Sequence, residues 1–291
     1  MKIPEVKLRN GVTLPAIGLG CAQLEDYGQQ DALIRAAFDA GYRLFDTATL
    51  YGNEELLGQA YKNAGIPRDE ILVSTKLYGN SQGYDNAMRG FEHSLKALQV
   101  DYLDLYLIHW PSPVLEENLG SWKAFETLYE QKLIRAIGLS NYGQRDLEAI
   151  LAHCNIAPFF DQLEFNPYFN NRVNREFCAA NGIAVEGYFP LGGQVVGAKG
   201  IRQPPPEVQM FDHPVLKTIA ERKGKTPAQV ILRWEVQSNV IPLPKTTKLH
   251  RLKEDISIFD FALDEAEMAA VDALNFDYSI GPKEGETNQM D

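Results

Sequence analysis

The chain is poor in cysteine, short of cations relative to acids, and without an apolar run long enough for a membrane. Its 291 residues hold three cysteines, Cys21, Cys154 and Cys178. So odd and sparse a set offers no disulfide framework, and a reducing compartment is expected. Lys and Arg number 28 against 39 Asp and Glu, a net charge of −11. Phosphate backbones are bound by clustered cations, so a general nucleic-acid binder is not expected. The first residues, MKIPEVKLRN, lack the apolar core of a secretory signal. The uncharged run from Gly187 to Ala198 is too short to span a bilayer and is broken by Pro190 and paired glycines. A cytoplasmic protein with no nucleic-acid or membrane partner is expected. Chemical signatures are missing as well. No GxGxxG follows an early strand, since Gly18, Gly20 and Gly28 have the wrong spacing. His109 has no companion in an HxH or HExxH motif, so no metal centre is expected. There is no GxSxG elbow, and no linker or low-complexity tract divides the chain.

What is present is an alternation of short apolar strands and amphipathic helices. Segments 5–9 and 12–15 flank Asn10-Gly11, a hairpin signal. Strands are expected at 17–20, 42–45, 71–75, 103–108, 134–138, 160–164, 183–187 and 240–243. Helices are expected at 30–40, 53–64, 85–98, 119–130, 144–154, 172–181, 215–223, 227–236, 249–255 and 263–274. Asn53, Thr226 and Asp264 read as N-caps, with Pro227 in the favoured first position and Glu267 completing a capping box. The stretch from Gly192 to Met210, with Pro204 to Pro206 in a row, reads as a loop, and the chain from Ser279 as a mobile polar tail. Strand ends fall near residues 20, 46, 76, 109, 139, 165, 188 and 243, and the early units repeat every 26 to 33 residues, the span of one strand and one crossover helix. The fold class expected is α/β, a (β/α)8 TIM barrel in one domain over 1–291. Its parts are an N-terminal β-hairpin (1–16), the barrel with a C-terminal extra helix (17–278) and the tail (279–291). A doubly wound sheet is the alternative.

In a barrel, side chains at the carboxyl ends of strands converge on one mouth. Asp46, Lys76 and His109 hold that place on three successive strands, and Tyr51 lies in the loop beyond the first of them. Taken singly, Asp46 reads equally as a turn cap, Lys76 as a snorkelling surface lysine, His109 as a core histidine and Tyr51 as a rim aromatic. Their convergence favours a site. A phenol with a pKa of about 10 is a poor acid near neutrality, and a lysine beside it favours the phenolate. A carboxylate would hold that lysine charged, and the histidine can donate a hydrogen bond to a carbonyl oxygen. A glycosidase pair, Asp46 and Glu164, is a minor alternative.

These residues sit in segments that together resemble the aldo-keto reductase family: GYRLFDTATLYGNEELLG, VSTKL, DLYLIHWP, IGLSNY, DQLEFNPY and the stretch from Val240 to Asp255. The resemblance spans nearly the whole chain and implies a (β/α)8 barrel that transfers hydride from NADPH to an aldehyde or ketone, or back to NADP+ from an alcohol. It implies that Tyr51 is the general acid, that Lys76 lowers its pKa, that Asp46 pairs with Lys76, and that His109 orients the carbonyl. Ser140, Asn141 and Gln162 match ligands of the nicotinamide carboxamide, and Tyr188 the aromatic beneath that ring. Leu191, Lys245, Thr246, Lys248, Arg251, Glu254 and Asp255 match further cofactor positions, with the cationic members suited to a 2′-phosphate. Tyr78 and Trp110 supply an aromatic pocket wall. The chain departs from the family pattern at Ala22, where an aromatic is common, at Phe189, where a small serine is common, and at Asp255, usually asparagine. The short 192–210 loop and polar tail imply an open, permissive pocket. A monomer acting on a small-molecule carbonyl is expected; the alternative is a non-catalytic nicotinamide-binding sensor or partner protein on the same fold.

Overall fold

The computed structural model describes residues 2–22, 27–192 and 209–281, with 27–29 described for the backbone alone. The expected loop and tail therefore lie largely outside the described residues. Strands β1 (Glu5–Lys7) and β2 (Thr13–Pro15) pair antiparallel, with Val6 opposite Leu14. The turn between them places Gly11 at φ +90, a region that favours glycine. Eight parallel strands follow: β3 (Leu19–Gly20), β4 (Leu44–Asp46), β5 (Leu72–Leu77), β6 (Leu103–Ile108), β7 (Ile134–Ser140), β8 (Phe160–Glu164), β9 (Ala184–Tyr188) and β10 (Val240–Pro242). Each pairs with its neighbour in sequence, so the sheet order is the chain order.

Helices alternate with the strands: α1 (Tyr27–Ala40), α2 (Glu54–Asn63), α3 (Tyr84–Leu98), α4 (Leu115–Glu130), α5 (Gln144–Leu151) and α6 (Arg172–Ala180). After β9 come α7 (Pro214–Lys223) and α8 (Pro227–Gln237), and after β10 come α9 (Leu249–Ile256) and α10 (Glu265–Asp272). All six residues of β6 and all five of β8 are buried, as expected for parallel strands covered on both faces. The two ends of the sheet also meet: the N–H groups of Gly18 and Gly20 donate to the carbonyls of Pro242 and Pro244 at 3.0 and 2.9 Å. A Cβ at Gly20 would lie 3.0 Å from the Leu243 carbonyl oxygen, so a side chain there would crowd the backbone at this seam.

Thr226 with Gln229, and Asp264 with Glu267, form reciprocal capping boxes at α8 and α10. Three expectations fail locally. Helix α4 starts at Leu115, a turn before the expected Leu119, with Glu116 and Glu117 in its first turn where the helix dipole favours acids. The Asn53 side chain does not cap α2. It accepts from the Thr47 hydroxyl at 2.6 Å and donates to the Cys21 carbonyl at 2.6 Å, tying the ends of β3 and β4 to the helix. Ser279 to Gly281, read as the start of a mobile tail, is instead docked. Glu164 at the end of β8 accepts from the Ser279 hydroxyl at 2.8 Å and from the N–H groups of Ile280 and Gly281 at 2.7 and 2.9 Å. Ser279 and Ile280 are buried there. Among the described residues no helix is long and apolar enough to cross a membrane.

Removing the anchor should release this C-terminal segment. Each buried donor left without an acceptor costs about 1–3 kcal/mol, and the chain would leave rather than bear that cost. Glu164→Ala is expected to lower the Tm by several degrees and to speed proteolytic clipping near residue 279. Unchanged clipping would show that the docking rests on other contacts.

Candidate active site

Asp46 is the last residue of β4 and lies opposite Ser74 across the β4–β5 ladder. Lys76, next to last in β5, points to the same place two residues on, as the alternation of a strand requires. Its ammonium donates to Asp46 Oδ2 at 2.6 Å and to the Thr47 carbonyl at 2.8 Å, and both residues are buried. Asp46 Oδ1 accepts from the Ser74 hydroxyl at 2.9 Å and from Gln162 Nε2 at 3.2 Å. Two strands, β5 and β8, thus satisfy one carboxylate.

Tyr51 comes from a single tight turn, Thr49–Tyr51, closed by Gly52 in the left-handed region at φ 64. Its ring is half-buried, with the Lys76 nitrogen 5.5 Å from the ring centroid and the His109 ring edge-on at 5.7 Å. The ammonium is near enough to the phenol to pull its titration down. The four residues expected to meet at this end of the sheet are brought together.

Their electrostatics differ in one respect from expectation. Burial raises the Tyr51 phenol above its ordinary value, and the pull of Lys76 opposes this without overcoming it; Asp46 adds to the rise. The lysine therefore limits the rise rather than producing a net fall. Burial alone would lower Lys76, but Asp46, Tyr51 and Glu186 outweigh it and hold the ammonium above its ordinary value. Burial and then Lys76 push His109 well below the usual imidazole range, so it is neutral near pH 7. Its Nδ1 is buried without a hydrogen-bond partner among the described residues.

A second group is wired to the first. The Ser140 hydroxyl and Asn141 N–H donate to the Gln162 carbonyl at 3.1 and 2.9 Å. The Asn141 amide donates to the His109 carbonyl at 3.0 Å and accepts from the Tyr188 hydroxyl at 2.7 Å. Asn141 holds φ 64, which asparagine tolerates better than most residues. Glu186, absent from the sequence reading, completes this layer opposite Gln162, whose Nε2 reaches it at 3.0 Å. The available signal was an acid at the centre of an otherwise apolar strand, AVEGY.

Tyr78, His109 and Trp110 line one cavity of about 360 Å³, together with Leu50, Asn80 and Gln82. Past the end of β10, Lys245 and Lys248 are exposed in the connection to α9 and Arg251 is exposed on α9 itself, and Thr246 accepts from the Lys248 N–H at 3.0 Å. Among the described residues neither Lys248 nor Arg251 forms a salt bridge. Leu191 is half-buried against the core. Glu254 and Asp255 differ from the cations: Glu254 accepts from the Thr226 hydroxyl at 2.7 Å and Asp255 is buried. These two acids face inward, and Glu254 ties α9 to the start of α8. Phe189 stands at φ 52 with its ring edge-on to Tyr188 at 5.1 Å.

Residues 16–275 match the Aldo/keto reductase family. The chain is 41% identical over 281 residues to the glyoxal reductase of Bacillus subtilis, covering 97% of this chain and 96% of that one. Among solved structures, an aldo-keto reductase from a deep-sea metagenome library superimposes with a TM-score of 0.87 at 35% identity, covering 95% of this chain and 97% of that one. An aldo-keto reductase of Bombyx mori in complex with NADP does so with a TM-score of 0.86 at 31% identity, covering 96% and 95%. The chain belongs to the aldo/keto reductase family.

Proposed function

We propose that the protein reduces aldehydes or ketones to alcohols with NADPH on a closed (β/α)8 barrel, with Tyr51 as the proton donor. The observation that carries this reading is the buried Lys76–Asp46 pair at 2.6 Å with the phenol of Tyr51 against it and the neutral imidazole of His109 beside it. When bound, the nicotinamide supplies the hydride. The protein's part is to hold the carbonyl oxygen between the His109 imidazole and the Tyr51 hydroxyl, at the base of the cavity walled by Tyr78 and Trp110. Negative charge developing on that oxygen is met by the phenolic proton, and the Lys76 ammonium stabilises the phenolate left behind. Asp46 keeps the lysine charged throughout.

The chain's own residues fit the cofactor. Gln162 has its amide nitrogen turned inward to Asp46 and Glu186, so its amide oxygen is the group it has for a carboxamide N–H. Ser140, Asn141 and Tyr188 surround it. Lys248 and Arg251 are exposed cations in an acidic chain, suited to a phosphate by charge-assisted bonds. The NADP in the Bombyx mori neighbour and the substrate class named for the Bacillus subtilis relative agree with this reading. A sensor that binds nicotinamide without turnover would leave this proton-donating corner without a use.

Tyr51→Phe keeps the ring and removes the proton. It is expected to lower kcat for an aldehyde panel at least about 100-fold while leaving NADPH binding by fluorescence titration intact. A fully active variant would sink the assignment. For the phosphate, Arg251→Ala should raise the Kd for NADPH roughly tenfold and leave NADH nearly unchanged. An unaltered ratio of the two constants removes Arg251 from the site.

Asp255 gives a pH-dependent expectation. Burial, then Glu254, raise its carboxyl to about 7, with Arg251 pulling it back. In the unfolded chain it titrates near 3.9. A folded value above the unfolded one means the stabilising contribution is complete below about pH 4 and is lost as pH rises through about 7. Asp255→Asn should therefore raise the Tm at pH 8 more than at pH 5, by about 2 °C for each kcal/mol regained. An equal effect at both pH values would show that Asp255 is not protonated in the fold.

A further inference from the structure

Glu164, the last residue of β8, is buried, and the proposed reduction makes no use of its charge. Both of its oxygens are taken. Oε1 accepts from the Ile280 N–H at 2.7 Å and from Asn166 Nδ2 at 3.3 Å. Oε2 accepts from the Ser279 hydroxyl at 2.8 Å and from the Gly281 N–H at 2.9 Å. Three of these four donors belong to the segment 279–281, between 115 and 117 residues further along the chain. An ionised carboxylate can accept at every one of these positions, whereas an amide would present its own N–H to a donor.

What the docked segment touches sets it apart from an ordinary chain end. Tyr188 closes β9 and is the ladder partner of Glu164. Gly281 lies at the edge of its ring: a Cβ built on Gly281 would stand 3.0 Å from the Tyr188 hydroxyl oxygen, 3.8 Å from Tyr188 Cε2 and 3.1 Å from Glu164 Oε2. The Tyr188 hydroxyl in turn donates to Asn141 Oδ1 at 2.7 Å, and Asn141 Nδ2 donates to the His109 carbonyl at 3.0 Å. Ile280 is buried, with its Cδ1 4.0 Å from the place a Cβ on Gly192 would take, one residue beyond Leu191. The segment therefore abuts Tyr188 and the chain next to Leu191, two positions read above as cofactor contacts.

We propose that Glu164 is a positioning residue for the nicotinamide: by docking the segment 279–281 it holds Gly281 against Tyr188 and so fixes the aromatic that the nicotinamide ring meets. The inference rests on the reading of Tyr188 as part of the nicotinamide site. The second side-chain torsion of a tyrosine is broad, and a hydrogen bond at the tip of the ring fixes a point rather than a plane. The contact of Gly281 along the hydroxyl and Cε2 edge supplies the second constraint. Without the clamp the bond to Asn141 remains, but the ring is free to tilt, and a flat ligand stacked on it is held less well. The adenine end of the cofactor is read at Lys248 and Arg251, past β10, and does not depend on this clamp.

Equilibrium titrations with NADPH and with adenosine 2′,5′-bisphosphate, which carries the adenine end and its phosphate but no nicotinamide, separate the two ends of the site. Glu164→Ala, Glu164→Gln and Gly281→Ala are each expected to raise the Kd for NADPH by on the order of fivefold and to leave that for the bisphosphate unchanged. Gly281→Ala keeps the carboxylate and disturbs only its far contact, so it decides the matter where a Glu164 variant does not fold. In single turnovers at saturating NADPH the hydride step should slow about tenfold in all three, because a small misplacement of reacting groups is costly. A lowered Tm with both constants and the rate as in wild type would make Glu164 an anchor only and overturn the proposal. Equal weakening of both ligands would do the same, since it reports a general loss of the site. These outcomes, in a wild type that binds NADPH and reduces carbonyls, fail this proposal alone. A wild type that binds NADPH no better than the bisphosphate and reduces no carbonyl overturns the functional reading, and the proposal with it.

Discussion

The pairing of Lys76 with Asp46 in the interior is the constraint on which the rest of the site depends. Burying either charge alone costs several kcal/mol, and a buried pair is tolerable only when its remaining lone pairs and protons are also satisfied. Here they are satisfied by the sheet. Ser74 and Gln162 complete the carboxylate, and the Thr47 carbonyl completes the ammonium. Ser74 and Gln162 lie on β5 and β8, and Thr47 directly follows Asp46 at the end of β4, so the ladder register must be held at all three strands for the pair to exist. A shift of one residue in β5 would turn Lys76 to the opposite face and leave Asp46 a bare buried anion. The ion pair therefore specifies register as much as it prepares chemistry.

Its field then sets the neighbouring groups apart. Tyr51 and Lys76 are raised and His109 is lowered, although all three share one corner. Burial acts on each in the direction of its neutral form, and only the lysine, with acids around it, overcomes that tendency. The result is a neutral phenol, a neutral imidazole and one ammonium: two groups able to hydrogen-bond a carbonyl oxygen and one charge to stabilise the phenolate. The lysine's role is best described as restraint. It keeps a buried phenol from becoming too weak an acid, rather than making it stronger than a phenol in water.

Much of this was legible in the sequence because strand and helix alternation has a strong period and the strand ends carry unusual residues. Asp46, Lys76 and His109 break otherwise apolar runs, and β6 and β8 were read with the bounds observed. What was not legible depends on long-range partners. Asn53 has every property of a cap, yet Cys21 and Thr47 claim its side chain. Ser279 to Gly281 looks like the start of a polar tail, and only the Glu164 carboxylate, far back in the sequence, explains its burial. The start of α4 is not signalled locally, because Val114 and Leu115 carry no capping side chain. The net direction of the Tyr51 shift depends on how deeply the corner is buried, which no spacing of residues reveals. Glu186, a single acid in a strand, carries no motif; its surroundings come from Gln162 and Asp46 on other strands.

The hydrogen bonding also decides between this chemistry and hydrolysis by a carboxylate pair. Such a pair needs one acid free to give a proton and one free to attack or activate water. Asp46 is committed to Lys76, Ser74 and Gln162, and Glu164 to the C-terminal segment and to Asn166 at 3.3 Å. Neither has an oxygen to spare for a sugar or a water. Glu186 has one, but lies sealed beneath the ion pair. The proton donor left beside His109, which lines the cavity, is the Tyr51 phenol, and a phenol suits an oxygen that gains charge in the proposed reduction. The same reasoning explains why the acids are there: Asp46 and Glu186 hold a cation charged and Glu164 anchors a segment, so none of the three is free to serve as the proton donor that the proposed reduction needs.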